Sequence, residues 1–238
     1  MIKPVNVLPY ITCESVAMLR IEALFNTYNT KFARFYCQSV DNEVTAVISH
    51  FGQGFNLACT ESADFEELES FFAIFGTEVF CDCETAEFLN PKSKQIVPLL
   101  KFSDGDLRPE TEDEIKLSCV YQLLENGNDG DISLPPFEDW YADFCARVNH
   151  QSADCFVKGG AVAVAAFVTK KGAFITGVAV AEKDRRKGEG SKVLKGLVAK
   201  LKKSDEKRDI FATARGETVR FYLKNGFEIC GSCAVLKY

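Results

Sequence analysis

The sequence contains no apolar run long enough to cross a membrane: its longest nearly uncharged apolar run with β-branched content, residues 159–169, falls well short of the ~20 residues a spanning helix needs. The N-terminus, MIKPVNVLPYITCESVAML, has one early lysine, two prolines and no apolar centre followed by a small-residue cleavage site, so no signal peptide is read there. Neither common nucleotide loop is present: there is no GxxxxGKS/T and no GxGxxG after a strand. Histidine is scarce, with only His50 and His150. Of the cysteine pairs, Cys230-Gly231-Ser232-Cys233 has zinc-like spacing and Cys81-Asp82-Cys83 does not. No second Cys/His pair completes a site, so no metal is expected. Cys145 and His150, at i,i+5 on a helix, do not face each other, which argues against a thiol nucleophile.

What is present is ordinary globular material. The 238 residues are 47% hydrophobic and 26% charged, which excludes wholesale disorder, a collagen-like repeat and a coiled coil. A net charge of −6 argues against a nucleic-acid partner. The chain is too large and apolar to need its ten cysteines as disulfides. Cys37, Cys59, Cys119, Cys145 and Cys155 lie in apolar stretches, where a thiol behaves as a small hydrophobe. With no export signal, the cysteines are taken as reduced and the protein as cytoplasmic.

The first thirty residues carry helical spacing (Val16, Leu19, Ala23, Leu24). Strand-like runs follow at 34–40, 43–50 and 55–60, joined by Asp41-Asn42 and Gly52-Gln53-Gly54. Residues 63–75 read as a helix with Phe65, Leu68, Phe71, Phe72 and Phe75 on one face, Ser62 as N-cap and Gly76 as stop. A strand at 77–83, another at 94–102 and a helix at 109–125 come next. The polar cluster at 126–131 is the best boundary. A helix at 136–149 begins with proline in its first turn. Strands at 154–158, 161–169 and 173–181 precede a helix at 187–203 with a single apolar stripe, Val193, Leu194, Leu197, Val198 and Leu201. A strand at 209–213, a helix at 217–225 and two strands close the chain. Residues 33–83 and 153–213 thus share one order: three strands, a helix, a strand. This predicts an α/β fold, a mixed sheet flanked by helices, in two lobes of similar element order at 1–131 and 132–238. The rival organisation is one α/β domain with an unrelated N-terminal extension.

The chemistry concentrates after the strand that ends near Val180. Arg185, Arg186, Lys187, Gly188, Glu189, Gly190 and Ser191 open the striped helix. A helix start offers unpaired N–H groups and the positive end of the dipole, glycines let backbone approach, and Arg and Lys add charge-assisted hydrogen bonds. Residues 183–208 carry eleven Lys/Arg and four Asp/Glu, hence +7, while the rest of the chain carries −13. Arg185 to Lys187 are read as ligand-facing, whereas Lys195, Lys200, Lys202 and Lys203 are read as a solvated face. The corresponding N-terminal helix opens with Asp64, Glu66 and Glu67, which would repel a polyphosphate.

The loop resembles Arg-x-x-Gly-x-Gly, the pyrophosphate loop of the GCN5-related N-acetyltransferases (GNAT), with Arg185, Gly188 and Gly190 at its fixed positions. Arg220-Phe221-Tyr222-Leu223-Lys224-Asn225-Gly226-Phe227 resembles the family's second signature, a tyrosine shortly before Gly-Phe. The resemblance covers about residues 137–238. It implies acetyl-CoA as cosubstrate, its pantetheine arm beside Val178, Ala179 and Val180, and its pyrophosphate on the N–H groups of Arg186 to Ser191. It further implies direct attack by a primary amine, of a small molecule or peptide, without an acyl-enzyme, and Tyr222 as general acid; Phe221 is the better core candidate of the two aromatics. Many family members place Asn, then Ala three residues on, at the start of the tyrosine-bearing helix. Here these are Arg215 and Thr218, and Arg215 is read as reaching a phosphate or the adenosine end. No base is assigned: Glu182 and Asp184 flank the loop, Glu138, Asp139 and Asp143 lie on the helix that walls the substrate, and family members often relay the proton through water. The N-terminal lobe is left to shape the acceptor site or form a homodimer contact. The alternative function is a non-catalytic acyl-CoA-binding or regulatory protein.

Overall fold

The computed structural model describes residues 1–238 except 14, 29–31, 53, 106, 108–110, 115 and 128–133. In chain order its elements are β1 (Ile2–Pro4), α1 (Val16–Tyr28), β2 (Arg34–Val40), β3 (Glu43–Phe51), β4 (Gly54–Cys59), α2 (Phe65–Phe75), β5 (Glu78–Asp82), α3 (Cys83–Glu87) and β6 (Ser93–Phe102). There follow α4 (Leu117–Gly127), α5 (Phe137–Asn149), β7 (Asp154–Lys158), β8 (Ala161–Val168), β9 (Gly172–Val180), a 3-10 turn (Glu182–Asp184), α6 (Glu189–Ser204), β10 (Asp209–Thr213), α7 (Glu217–Lys224) and β11 (Phe227–Lys237). No described helix is long and apolar enough to cross a membrane.

Two compact units result. The first comprises Met1–Leu100, Thr213–Gly216 and Ile229–Tyr238; the second comprises Lys101–Ala212 and Glu217–Glu228. In the first, β2, β3 and β4 form an antiparallel meander, and β4 pairs in parallel with β5. In the second, β7, β8 and β9 form the same meander, and β9 pairs in parallel with β10. α2 and α6 are the crossovers that a parallel return requires. The repeat of element order is therefore a repeat of strand pairing as well. Asp41 and Asn42, both at positive φ (50° and 67°), make the β2–β3 hairpin with the twist that favours Asn and Asp there. The first core gathers Ile48, Phe55, Leu57, Leu68, Phe72 and Val79, with Ala234 and Leu236 from β11. The second gathers Val120, Leu124, Trp140, Phe144, Val162, Val164 and Ala179, and the α6 stripe is buried as expected.

Several expectations need correction. The opening residues are not one helix: Pro4 ends β1, which pairs with β2, and α1 begins only at Val16, since prolines remove donors and bar helix interiors. The α2 cap is Asp64, whose carboxylate accepts the Glu67 N–H at 3.0 Å, while the Ser62 hydroxyl bonds Thr60. β11 is one strand, not two. The helix expected at 109–125 starts at Leu117, and residues 109, 110 and 115 lie outside the described residues, as do Gln53 and 128–131 of the expected turn and boundary clusters. The 131/132 boundary also falls there; the second unit already begins at Lys101, so α4 belongs to it. His50, at the end of β3, is half-buried and stacks on Phe55 at 4.2 Å. All ten cysteines are free, and among the described residues no group of three His, Cys, Asp or Glu could hold a metal.

Burial, with Glu84 adding repulsion, pushes the Asp82 carboxyl up to about 6 against hydrogen bonds from Ser15 and the Val16 N–H. Between its ordinary 3.8 and about 6, the folded chain holds a proton that the unfolded chain has released, so stability falls as pH rises through that window. Asp82→Asn keeps an acceptor for both donors and loses the charge. It should be more stable than the parent at pH 7, by on the order of 2 kcal/mol, and the gap should close toward pH 4. Denaturant midpoints measured across that range check this; a pH-independent gap would refute the assignment.

Candidate active site

The site begins with an irregularity in β9. Its register against β8 shifts between Val164 and Ala165, so Ile175 and Gly177 have partners and Thr176 has none. Such a bulge bends a strand. Parallel pairing with β10 ends at Ile175, and Gly177 to Val180 continue paired with β8 alone. Ala181 N–H donates to the Gly160 carbonyl. Antiparallel alternation then turns the N–H and C=O of Val180 and Val178 away from β8. Among the described residues Arg185 takes the Val180 carbonyl and nothing takes the other three groups, so the second half of β9 leaves an edge for an extended, amide-bearing chain. Ala179 departs from expectation: its main chain faces β8, and its side chain, 1% exposed, packs in the core.

The loop after β9 is the expected anion cradle. Gly188, at φ 84°, is the N-cap of α6 and offers no side-chain cap. The first helical bond is Lys192 N–H to the Gly188 carbonyl. From Arg186 to Ser191 no backbone N–H has an acceptor among the described residues. Gly188 is required by its left-handed backbone. Arg186 shares that conformation at φ 60°, a strain of ~1 kcal/mol in a non-glycine residue. Gly190 serves differently: a Cβ there would sit 3.4 Å from Val180 Cγ2 and 3.5 Å from the Phe221 ring, so its bare backbone keeps the space between strand end and α7. Lys187 pairs with Asp184 at 3.3 Å and Lys192 with Glu189 at 2.7 Å. Arg186 is exposed and has no protein partner among the described residues. These features fit a polyphosphate: unpaired N–H groups, a dipole end and an uncommitted cation.

The remaining expected residues sort as follows. Tyr222 is 4% exposed, its ring between Phe221 and Phe227. Phe221, expected in the core, is the partly exposed one that faces Gly190. Burial holds the Tyr222 phenol well above its ordinary pKa, so it stays protonated. Arg215 donates to Gln95 at 2.8 Å. Arg185 turns inward, to the carbonyls of Val180 and Gly127. Lys200 is not a solvated lysine: it bonds Glu112, Asp154 and the Cys155 carbonyl. Asp143 binds Arg147, which leaves Glu138, Asp139 and Glu182 as the uncommitted acids among those considered. The His150 ring bonds the Ala146 carbonyl rather than Cys145. Sequence reasoning missed the bulge, whose signal is a glycine one residue on inside a strand, and read Gly127 only as part of the polar cluster at 126–131 rather than as the end of α4.

The first unit repeats this geometry with the cradle closed. Asp64 caps the Glu67 N–H, the Asp64 N–H is taken by Gln38 Oε1 at 2.9 Å, and Glu67 accepts from Gln38 and the Ile2 N–H. Its own carboxylates occupy the place a phosphate would need. Calorimetric titration of the full chain with acetyl-CoA is expected to saturate at one cofactor per chain; two would contradict the contrast.

Comparison with known proteins bears on the fold. Residues 139–235 match the acetyltransferase (GNAT) domain family. No curated protein matches the sequence. Among solved structures, a GNAT-family acetyltransferase from Colwellia psychrerythraea superposes with TM-score 0.57 at 10% identity, covering 100% of this chain and 99% of that one. A GCN5-related N-acetyltransferase from Kribbella flavida gives TM-score 0.57 at 14% identity, with 93% and 94% covered. A tandem GNAT protein from the clavulanic acid biosynthesis pathway gives 0.55 at 6% identity, with 92% and 87% covered. At these identities the likeness is one of fold, and it spans both lobes. Residues 139–235 thus match the GNAT acetyltransferase domain, and the solved structures share the fold over nearly the whole chain.

Proposed function

We propose that the C-terminal lobe transfers the acetyl group of acetyl-CoA directly to a primary amine of a small molecule or peptide. The observation that carries this reading is the adjacency of two backbone surfaces with free groups: the edge at Val178 and the Val180 N–H, the Val180 carbonyl being held by Arg185, and the row of free N–H groups from Arg186 to Ser191. One suits the amides of the pantetheine arm by strand addition, the other the pyrophosphate. Acetyl-CoA supplies an activated thioester carbonyl. The protein's part is to bind and orient it, and proximity carries much of the rate. Tyr222, kept protonated by burial, holds the proton that the departing sulfur needs. His150 is turned to a backbone carbonyl, which disfavours an acyl-cysteine route through Cys145. Ten free cysteines suit the reducing cytoplasm, where we place the activity.

Calorimetry with acetyl-CoA, followed by a thiol-release assay across a panel of primary amines, tests the reading. Binding with amine-dependent thiol release is expected. Binding without turnover on any amine would favour a non-catalytic acyl-CoA-binding protein, and no binding would refute the cradle assignment.

A further inference from the structure

Arg185 stands where the family signature implies a grip on the cofactor, yet its guanidinium faces the protein. Nε donates to the Val180 carbonyl at 3.2 Å and Nη2 to the Gly127 carbonyl at 3.3 Å. These carbonyls end β9 and α4. Gly127 lies flat on the end of β9: a Cβ there would stand 2.9 Å from both the Ala179 Cβ and the Val180 amide nitrogen, and 3.2 Å from the Val180 carbonyl carbon. Real Cβ atoms do not approach backbone so closely, so only glycine lets α4 end this low. Before it, Val120 and Leu124 pack in the same core as Ala179, which holds the helix over the strand.

The chemistry of the contact is specific. Gly127 is at the C-terminus of α4, where the last carbonyls lack intrahelical donors and the dipole is negative. The Val180 carbonyl points off the β8 side, so it too lacks a ladder partner. One planar guanidinium answers both, and its rigid fork fixes their separation. The N–H row and Arg186 remain for the anion.

We propose that Arg185 is a positioning residue, clamping the end of α4 onto Val180 and thereby setting the cofactor-facing edge of β9 against the N–H row of Arg186 to Ser191. This rests on the reading of the site as that of acetyl-CoA. Removing the clamp should disturb where the reactive end of the arm lies far more than how tightly the phosphates are held.

Three readouts test it. First, Arg185→Met should leave acetyl-CoA affinity within about threefold by calorimetry and lower kcat about fivefold, with Arg185→Lys, which can reach one carbonyl, recovering part of the loss. Second, Gly127→Ala should reproduce the Arg185→Met phenotype, and the double variant should be no worse than the poorer single, because both break one contact. Third, in the cofactor-free chain, Arg185→Met should speed amide hydrogen exchange about tenfold at Leu124 to Gly127, with far-UV circular dichroism unchanged. A tenfold or greater loss of affinity in Arg185→Met would make Arg185 a phosphate ligand and overturn the proposal. Multiplicative effects in the double variant, or unchanged exchange at the end of α4, would overturn it as well. Should Gly127→Ala not fold, the Arg185 variants and the exchange measurement decide alone. Failure of the parent itself to bind acetyl-CoA would strike the reading of the site, whereas the exchange result speaks to the clamp without any cofactor.

Discussion

Replacing Tyr222 by phenylalanine is expected to lower kcat for acetyl transfer by ~10²-fold while leaving the cofactor KM nearly unchanged. The hydroxyl matters only as negative charge builds on the departing sulfur. The ring, which phenylalanine retains, keeps its contacts with Phe221 and Phe227, at centroid distances of 5.4 and 5.2 Å. The structure adds a second readout. Tyr222 is 4% exposed and its phenol is raised by burial alone, with no hydrogen bond to offset it. The hydroxyl makes no hydrogen bond within the described residues, so its removal takes none away and should leave Tm nearly unchanged. Loss of turnover with no loss of stability marks a group kept for chemistry. A phenylalanine variant that turns over like the parent would make Tyr222 a packing residue, and leaving-group protonation would then come from water or another donor.

The two aromatics of α7 show where sequence reasoning reaches its limit. Adjacent residues on a helix point ~100° apart, so Phe221 and Tyr222 cannot both face the core, and composition favours phenylalanine inside. The outcome is the reverse, because the start of α6 is so bare at Gly190 that the Phe221 ring closes over it. That depends on the approach of two helices, which periodicity does not encode. The geometry proposed to cradle an anion, by contrast, was legible because its parts are local: free N–H groups, left-handed glycine and positive charge all lie within residues 185–191. The lobe repeat was legible for a similar reason, since strands at 34–40, 154–158 and 209–213 and the α6 stripe are set by short-range patterns and coincide with observed elements.

What escaped was set by distant partners. Arg185 turns inward because a carbonyl 58 positions away awaits it. Ser62 yields the cap of α2 to Asp64 because Gln38, on β2, brackets the Asp64 N–H and carbonyl together. Lys200 sits on a face that reads as solvated, but two carboxylates, Glu112 and Asp154, converge on it. Each is a polar side chain whose role was misread because its partner comes from another element, whereas apolar side chains, which need only a generic interior, were read correctly along α6.

Gly190→Asp and Arg186→Glu are each expected to weaken acetyl-CoA binding by ~10-fold or more, about 1.4 kcal/mol. Gly190 has no positive φ to protect, and a Cβ there meets Val180 and Phe221 at 3.4 and 3.5 Å, ordinary contact distances, so the variant should fold. Gly190→Ala is the control: it adds the methyl without charge and, by helix propensity, should stabilise by up to ~1 kcal/mol. The aspartate goes further, because its carboxylate lies among the free N–H groups from Arg186 to Ser191 and installs what the first lobe already has, a side-chain acid on a helix N-terminus, as Asp64 sits on the Glu67 N–H at 3.0 Å. Stability should therefore hold or rise while affinity falls, the signature of an anion displaced rather than a fold broken. Arg186→Glu tests the same site from the side chain. Arg186 is exposed at φ 60°, a strain that glutamate inherits unchanged, so the reversal of charge is isolated from the backbone. The affinity gap from the parent should narrow as ionic strength rises, since screening removes what the cation contributed. Calorimetry that finds the parent's affinity in both folded variants would remove the phosphate from this loop.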